Sequence, residues 1–158
     1  MYGTEREETQ MERTEQYPGY NHRVQYYETD QMGCVHHSNY IRWFEEARTD
    51  FLRNNGIVYS DLEQSGVMIP VVNVSCRFRT PARYDEWIEI TTTPTAYNGV
   101  RLDFSYEVRS AGGTLLATGT SEHCFMDAQK WLPIHMKRKQ PDIHARIRSL
   151  LAPNGGTL

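Results

Sequence analysis

Between Tyr26 and Trp43 the chain reads YYETDQMGCVHHSNYIRW, with a carboxylate (Asp30), a glycine (Gly33) and two adjacent imidazoles (His36, His37) just ahead of an apolar pattern of helical period. A helix N-terminus presents unpaired backbone N–H groups and partial positive charge, which suits a carbonyl oxygen that is gaining negative charge. A carboxylate a few residues earlier, on a turn loosened by Gly33, can attack the carbonyl carbon or take a proton from water. His37, next to the helix start, can orient water, donate to the carbonyl or pass a proton to a leaving group. Each residue also has a plainer use. An isolated Asp in a Gly-containing loop more often closes an Asx turn, and His36-His37 serve equally as polar loop residues. As half of a metal site the two histidines would still need a spaced third ligand, so the loop reading is favoured.

The elements that must position these groups follow from periodicity. His22 to Glu28 alternates as a strand, with Val24 and Tyr26 on one face. Asn39 to Asn55 is the clearest helix: Tyr40, Phe44, Ala47 and Phe51 form a stripe widened by Ile41 and Leu52. Ser38 is the expected N-cap and Gly56 the stop. Ser60-Asp61-Leu62-Glu63 has capping-box spacing and opens a short helix ending at Gly66. From Val67 the period becomes two, over 67–79, 86–96, 100–110 and 114–126. Asn98-Gly99 signals a type I′ hairpin and Ala111-Gly112-Gly113 the next turn. A last helix spans Pro141 to Leu151. A long antiparallel meander wrapped around one apolar helix buries both, which is an α+β arrangement.

Composition limits the remaining possibilities. The 158 residues, 39% hydrophobic and 11% aromatic, suit one globular domain over 21–151. No window reaches the ~18 unbroken apolar residues of a membrane helix, and the N-terminus lacks the apolar stretch of a secretory signal. A cytoplasmic location is the expectation. Three widely spaced cysteines, Cys34, Cys76 and Cys124, are expected to be free thiols. Residues 1–20 carry five Glu against two Arg, which accounts for the whole net charge of −3. They are expected to be a solvated extension, and residues 152–158 a flexible tail. The basic region from Lys130 to Arg148 could meet phosphates or form an ordinary solvated face.

The run RVQYYETDQMGCVHHSNYIRWFEEAR resembles the active-site signature of hotdog-fold acyl-CoA thioesterases of the 4-hydroxybenzoyl-CoA thioesterase type. Within that type it looks closest to the branch encoded with the Tol–Pal system. The motif D-x-x-G-x-V-x-[HY]-x-x-Y is matched by Asp30, Gly33, Val35, His37 and Tyr40. IPVVNVSCRFRTPARYDEWIEI resembles a second family stretch, ending in a turn at Tyr84-Asp85-Glu86. The resemblance implies a hotdog fold with Asp30 as nucleophile or general base. The His37 backbone N–H would be the oxyanion donor and its side chain a positioning group. Gly33, Tyr40, Pro70 and the residues after Pro70 would line the acyl side. It also implies an acyl-CoA substrate, no metal and no cofactor (coenzyme A is part of the substrate), and a homodimer that can pair into a homotetramer. No nucleic acid and no membrane insertion are expected. Arg101, Lys137, Arg138 and Lys139 are assigned to the CoA phosphates from local charge. The chain departs from the family in having Gln31-Met32 and His36 at positions commonly small or apolar.

Two other readings use the same residues. In one, His37 with Glu45 or Glu46 forms the pair of a hydroxyacyl-thioester dehydratase, although the Pro-rich surroundings of that loop are missing. In the other, the domain is a non-catalytic acyl-CoA-binding module, which would not need a carboxylate facing a thioester.

Overall fold

The computed structural model describes residues 18–151. The first seventeen residues of the acidic segment and the 152–158 tail lie outside them. Strand β1 (Tyr20–Arg23) leads to the loop bearing Asp30 and then to α1 (Ser38–Asn54) and α2 (Tyr59–Gln64). There follow β2 (Val67–Met68), β3 (Val71–Phe78), β4 (Trp87–Tyr97), β5 (Arg101–Ser110), β6 (Leu115–Cys124) and β7 (Met126–Asp127). The chain closes with α3 (Met136–Lys139) and α4 (Pro141–Leu151). Five strands form one antiparallel sheet in the order β1-β4-β5-β6-β3, and β2 pairs separately with β7. No helix among the described residues is long and apolar enough to cross a membrane.

Period-two burial on β4, β5 and β6 turns one sheet face toward α1. Ile88, Ile90, Leu102, Phe104, Tyr106 and Val108 from that face meet Tyr40, Trp43, Phe44, Ala47 and Phe51 of the helix, all buried. Phe44 stacks on Tyr106 at 4.4 Å between ring centroids. Gly119, paired with Tyr106 on the neighbouring strand, lies directly under the Phe44 ring. A Cβ there would strike that ring and come within 2.8 Å of the Ser75 carbonyl oxygen, which is backbone and cannot swing away. Gly119→Val is therefore expected to destabilise the fold by about 1–3 kcal/mol, lowering the thermal midpoint by several degrees. An unchanged melting curve would refute this packing.

Several local expectations are corrected. The strand expected over His22 to Glu28 ends at Arg23, and Tyr26–Glu28 is a 3-10 turn. The Glu28 carboxylate folds back onto the Gln25 N–H at 2.8 Å, so the segment turns instead of extending. His37, not Ser38, is the N-cap of α1, and it makes no side-chain capping bond. Ile41 is 46% exposed and does not widen the buried stripe. α2 begins at Tyr59 after Val58, without a side-chain cap, so the capping-box residues lie inside it. The run 67–79 divides at Ile69-Pro70, where proline has no N–H for a ladder. The run 114–126 divides at Phe125, whose N–H turns to the Val100 carbonyl. The β4–β5 hairpin forms, but only Gly99 has positive φ, so it is not type I′. Asn98 Oδ1 instead accepts the Val100 and Arg101 N–H groups.

Candidate active site

The loop before α1 is held from both sides. Thr29 bridges Val35, and the Val35 N–H donates to the Ala82 carbonyl at 2.8 Å. Gly33, at φ +75°, closes the turn with its N–H on the Asp30 carbonyl, a conformation that costs a β-carbon-bearing residue free energy. Arg83 donates to the Gly33 carbonyl at 3.4 Å. The Asp30 carboxylate takes the Met32 N–H at 2.8 Å and the Cys34 thiol at 3.8 Å, both on Oδ1. The Asx turn is thus real, yet it occupies only one carboxylate oxygen. Oδ2 has no hydrogen-bond partner among the described residues.

Beneath this loop lies a buried carboxylate that the sequence reading passed over as a strand end. Glu28 is 4% exposed. Its Oε1 accepts from the Gln25 N–H and from His22 Nε2 at 2.7 Å, and its Oε2 from Trp43 Nε1 at 2.6 Å. Burial pushes the Glu28 carboxyl up, but the Gln25 N–H, His22 and Trp43 outweigh it and hold the group below its ordinary value. The Glu28 carbonyl in turn accepts the His36 N–H at 2.8 Å and buried Asn39 Nδ2 at 2.9 Å. One residue therefore ties the strand, the loop and the first turn of α1 together. An acid in a loop gives no sequence signal of burial; only its donors, scattered from His22 to Trp43, reveal it.

At the helix start, no acceptor among the described residues takes the His37 N–H. The His37 ring lies against His36 at 4.0 Å and faces Phe78 at 6.4 Å. Tyr40 is 2% exposed, packs edge-on to Phe78 and accepts the Ala82 N–H on its hydroxyl. Burial raises the Tyr40 hydroxyl above its ordinary value, which keeps it protonated. These groups surround a cavity of about 260 Å³ lined by Asp30, Met32, Cys34, Val35, His37 and Tyr40 on one side and Phe78 to Pro81 on the other. An unoccupied carboxylate oxygen and an unpaired helix N–H at one small, partly apolar cavity are the two groups that acyl transfer needs.

The structure brings Asp30, His37 and Tyr40 together, with Gly33 shaping the turn beside them. Of the residues after Pro70, Phe78, Arg79, Thr80 and Pro81 reach this cavity, whereas Pro70 and Val71 line a different one. Arg101 pairs with Glu122 at 3.3 Å on the sheet, and Lys137, Arg138 and Lys139 stand exposed on α3, all outside the cavity. Arg79 is in its wall and Arg83 on its loop. Glu45 is about 12 Å along the helix axis from His37 and lines the other cavity. Glu46 accepts from the Tyr20 hydroxyl. Neither forms a pair with His37.

Residues 24–148 match the thioesterase-like superfamily. The putative acyl-CoA thioesterase YneP of Bacillus subtilis is 37% identical over 121 residues, covering 77% of this chain and 88% of the relative. The acyl-CoA thioester hydrolase YbgC of Escherichia coli O157:H7 is 35% identical over 94 residues, covering 60% of this chain and 70% of the relative. Among solved structures, the DHNA-CoA thioesterase from Staphylococcus aureus superposes with a TM-score of 0.83 at 31% identity, covering 85% of this chain and 91% of that one.

Proposed function

Because the chain belongs to the thioesterase-like superfamily, with the hotdog fold of that family, we propose that it hydrolyses an acyl-CoA to the free acid and CoA at the Asp30 cavity. The observation that carries this reading is that Asp30, whose Oδ2 has no partner among the described residues, and His37, whose backbone N–H has none among them either, line one cavity. In the general-base route, Asp30 takes a proton from water and the resulting hydroxide adds to the thioester carbonyl. The His37 N–H holds the oxyanion, and collapse of the adduct expels the CoA thiolate, which takes up the proton. In the covalent route, Asp30 itself attacks, CoA leaves, and water cleaves the acyl-aspartyl anhydride. Neither route needs a metal or a cofactor. In a single turnover in ¹⁸O-labelled water, label on Asp30 arises only from an anhydride opened at the aspartyl carbonyl and would establish the covalent route. The His37 ring and Tyr40 with Phe78 form the walls that orient the acyl group. Arg79 and Arg83 are the cations placed to meet CoA phosphates at this cavity; Arg101 and Lys137 to Lys139 do not reach it within one chain.

The test is thiol release from short, medium, long and aromatic acyl-CoAs. Hydrolysis of at least one class is expected, and none at all would overturn the assignment. The three free thiols fit a reducing, cytoplasmic setting.

The same reading includes a homodimer. β3 is a sheet edge with Val71 50%, Val72 59% and Phe78 51% exposed, and an apolar edge of this kind invites a second strand. Two copies paired antiparallel along β3 place Pro70 and Val71 of one chain beside Phe78 and Arg79 of its partner. A dimer mass in solution is expected, and Val72→Lys should shift it toward monomer in sedimentation. A wild-type monomer would refute this pairing.

A further inference from the structure

Six side chains that the Asp30 cavity does not use stand around one hairpin. After β7 the chain reverses tightly, with the Asp127 N–H on the Leu132 carbonyl and the Trp131 N–H on the Asp127 carbonyl, both at 2.9 Å. The Asp127 carboxylate accepts the Gln129 and Lys130 N–H groups within the turn, and the Ala128 N–H ties it to the Gly66 carbonyl. The tip so held carries Trp131 55% and Leu132 58% exposed. Trp131 has φ +54°. A left-handed backbone costs a bulky residue free energy that glycine avoids, so the fold alone gives no reason for tryptophan there.

Four cations flank the tip. Lys130 precedes Trp131, and Lys137, Arg138 and Lys139 stand exposed on α3. The buried Met136 fixes α3 beside the β4–β5 turn, its N–H donating to the Gly99 carbonyl at 2.8 Å. The Lys130 and Gln129 N–H groups hold the Asp127 carboxyl below its ordinary value, and the nearby charges of Lys130 and Lys139 add to this, which brings α3 close to the hairpin. None of the four cations makes an ion pair among the described residues. From residue 125 to 151 the chain holds two acids, Asp127 and Asp142, against six Lys and Arg, so this face is positive although the whole chain is not.

Exposed apolar area beside unpaired cations fits a surface with the same two layers. Lipid headgroups offer phosphates to Lys and Arg, and the boundary beneath them takes tryptophan and leucine. A nucleic acid would satisfy the cations but leave Leu132 in water. We propose that the Trp131–Leu132 tip and its four flanking cations form a docking surface for anionic lipid membranes. Docking of this kind stays at headgroup depth and needs no membrane-crossing helix, of which the described residues have none. It is reversible, since one short wedge and a few cations make a weak anchor. It does not depend on the thioester chemistry.

The test is co-flotation of the full chain with vesicles of phosphatidylcholine alone and of phosphatidylcholine mixed with phosphatidylglycerol. Binding to the anionic vesicles is expected to be at least about tenfold stronger and to weaken as salt is raised. Lys137→Gln and Lys139→Gln should each weaken it by about fivefold. Trp131→Gly should weaken it by about tenfold or more with the thermal midpoint unchanged or raised, because glycine relieves the left-handed backbone. A merely structural tryptophan would show the reverse. No preference for anionic vesicles in the wild-type chain, or undiminished binding by Trp131→Gly, would overturn the proposal. Release from the vesicles by free CoA would also overturn it, by giving the cations to the substrate. So would tighter binding to duplex DNA than to vesicles, or a smaller sedimenting mass for Trp131→Gly, which would make the tip an interface between copies of the chain.

Discussion

Asp30→Asn is expected to lower acyl-CoA hydrolysis by about 10²–10⁴-fold, the usual range for loss of a positioned acid or base, while leaving the chain folded. The two expectations separate because the carboxylate oxygens have separate tasks. Oδ1 holds the turn by accepting from the Met32 N–H and the Cys34 thiol, and an amide oxygen accepts equally well. Asparagine is also as good an Asx-turn residue as aspartate. The oxygen that Asn cannot replace is the unoccupied one, since an amide nitrogen neither attacks a thioester nor takes a proton from water. Thiol release and a thermal melt on the same preparation check both halves. Turnover at the wild-type rate in the folded variant would transfer the chemistry to another residue. A lost fold would mean that the negative charge itself holds the loop.

Glu28→Gln is expected to cost about 3 kcal/mol of stability, or about 6–12 °C in the thermal midpoint. The carboxylate accepts three donors, two on Oε1 and one on Oε2. A glutamine has one acceptor oxygen, so at least one buried donor is left facing an NH₂ group. The pH dependence has a definite sign. The folded carboxyl is held below its ordinary value of 4.5, so its stabilisation is full above that value and is lost as pH falls through the lower folded one. The wild-type chain should therefore lose stability on acidification below about pH 4.5 more steeply than Glu28→Gln. Parallel stability curves for the two chains would show that Glu28 is not the titrating group. Because the Glu28 carbonyl also holds His36 and Asn39, hydrolysis in the variant should fall through kcat.

The parts of the site that were legible in the sequence are the parts that are contiguous. Asp30, Gly33, His37 and Tyr40 lie within eleven residues, so spacing alone sets them on a turn and the helix that follows. The same holds for α1, α4 and the β4–β5–β6 meander, whose periods are regular and whose turns carry glycine. What escaped was whatever a distant partner decides. Glu28 turns the chain because Trp43 and His22 surround it, and no propensity describes that. Phe78 to Pro81 were legible only as some residues after Pro70. That they face Asp30 while Pro70 does not depends on a strand long enough to put its two ends at different cavities. His123 reads as one more inward position of β6, and its bond to Ser121 Oγ appears only when the strands are paired.

The order of elements also has a consequence for synthesis. α1 is complete at Asn54, but the strands that cover its aromatic stripe finish only at Cys124, about seventy residues later. At about 5–20 residues per second, Trp43, Phe44 and Phe51 wait several seconds for β6 to leave the ribosome. During that interval the nascent chain presents an uncovered amphipathic helix. The last strand of the meander, not the first helix, therefore sets when the newborn protein stops being a client for chaperones.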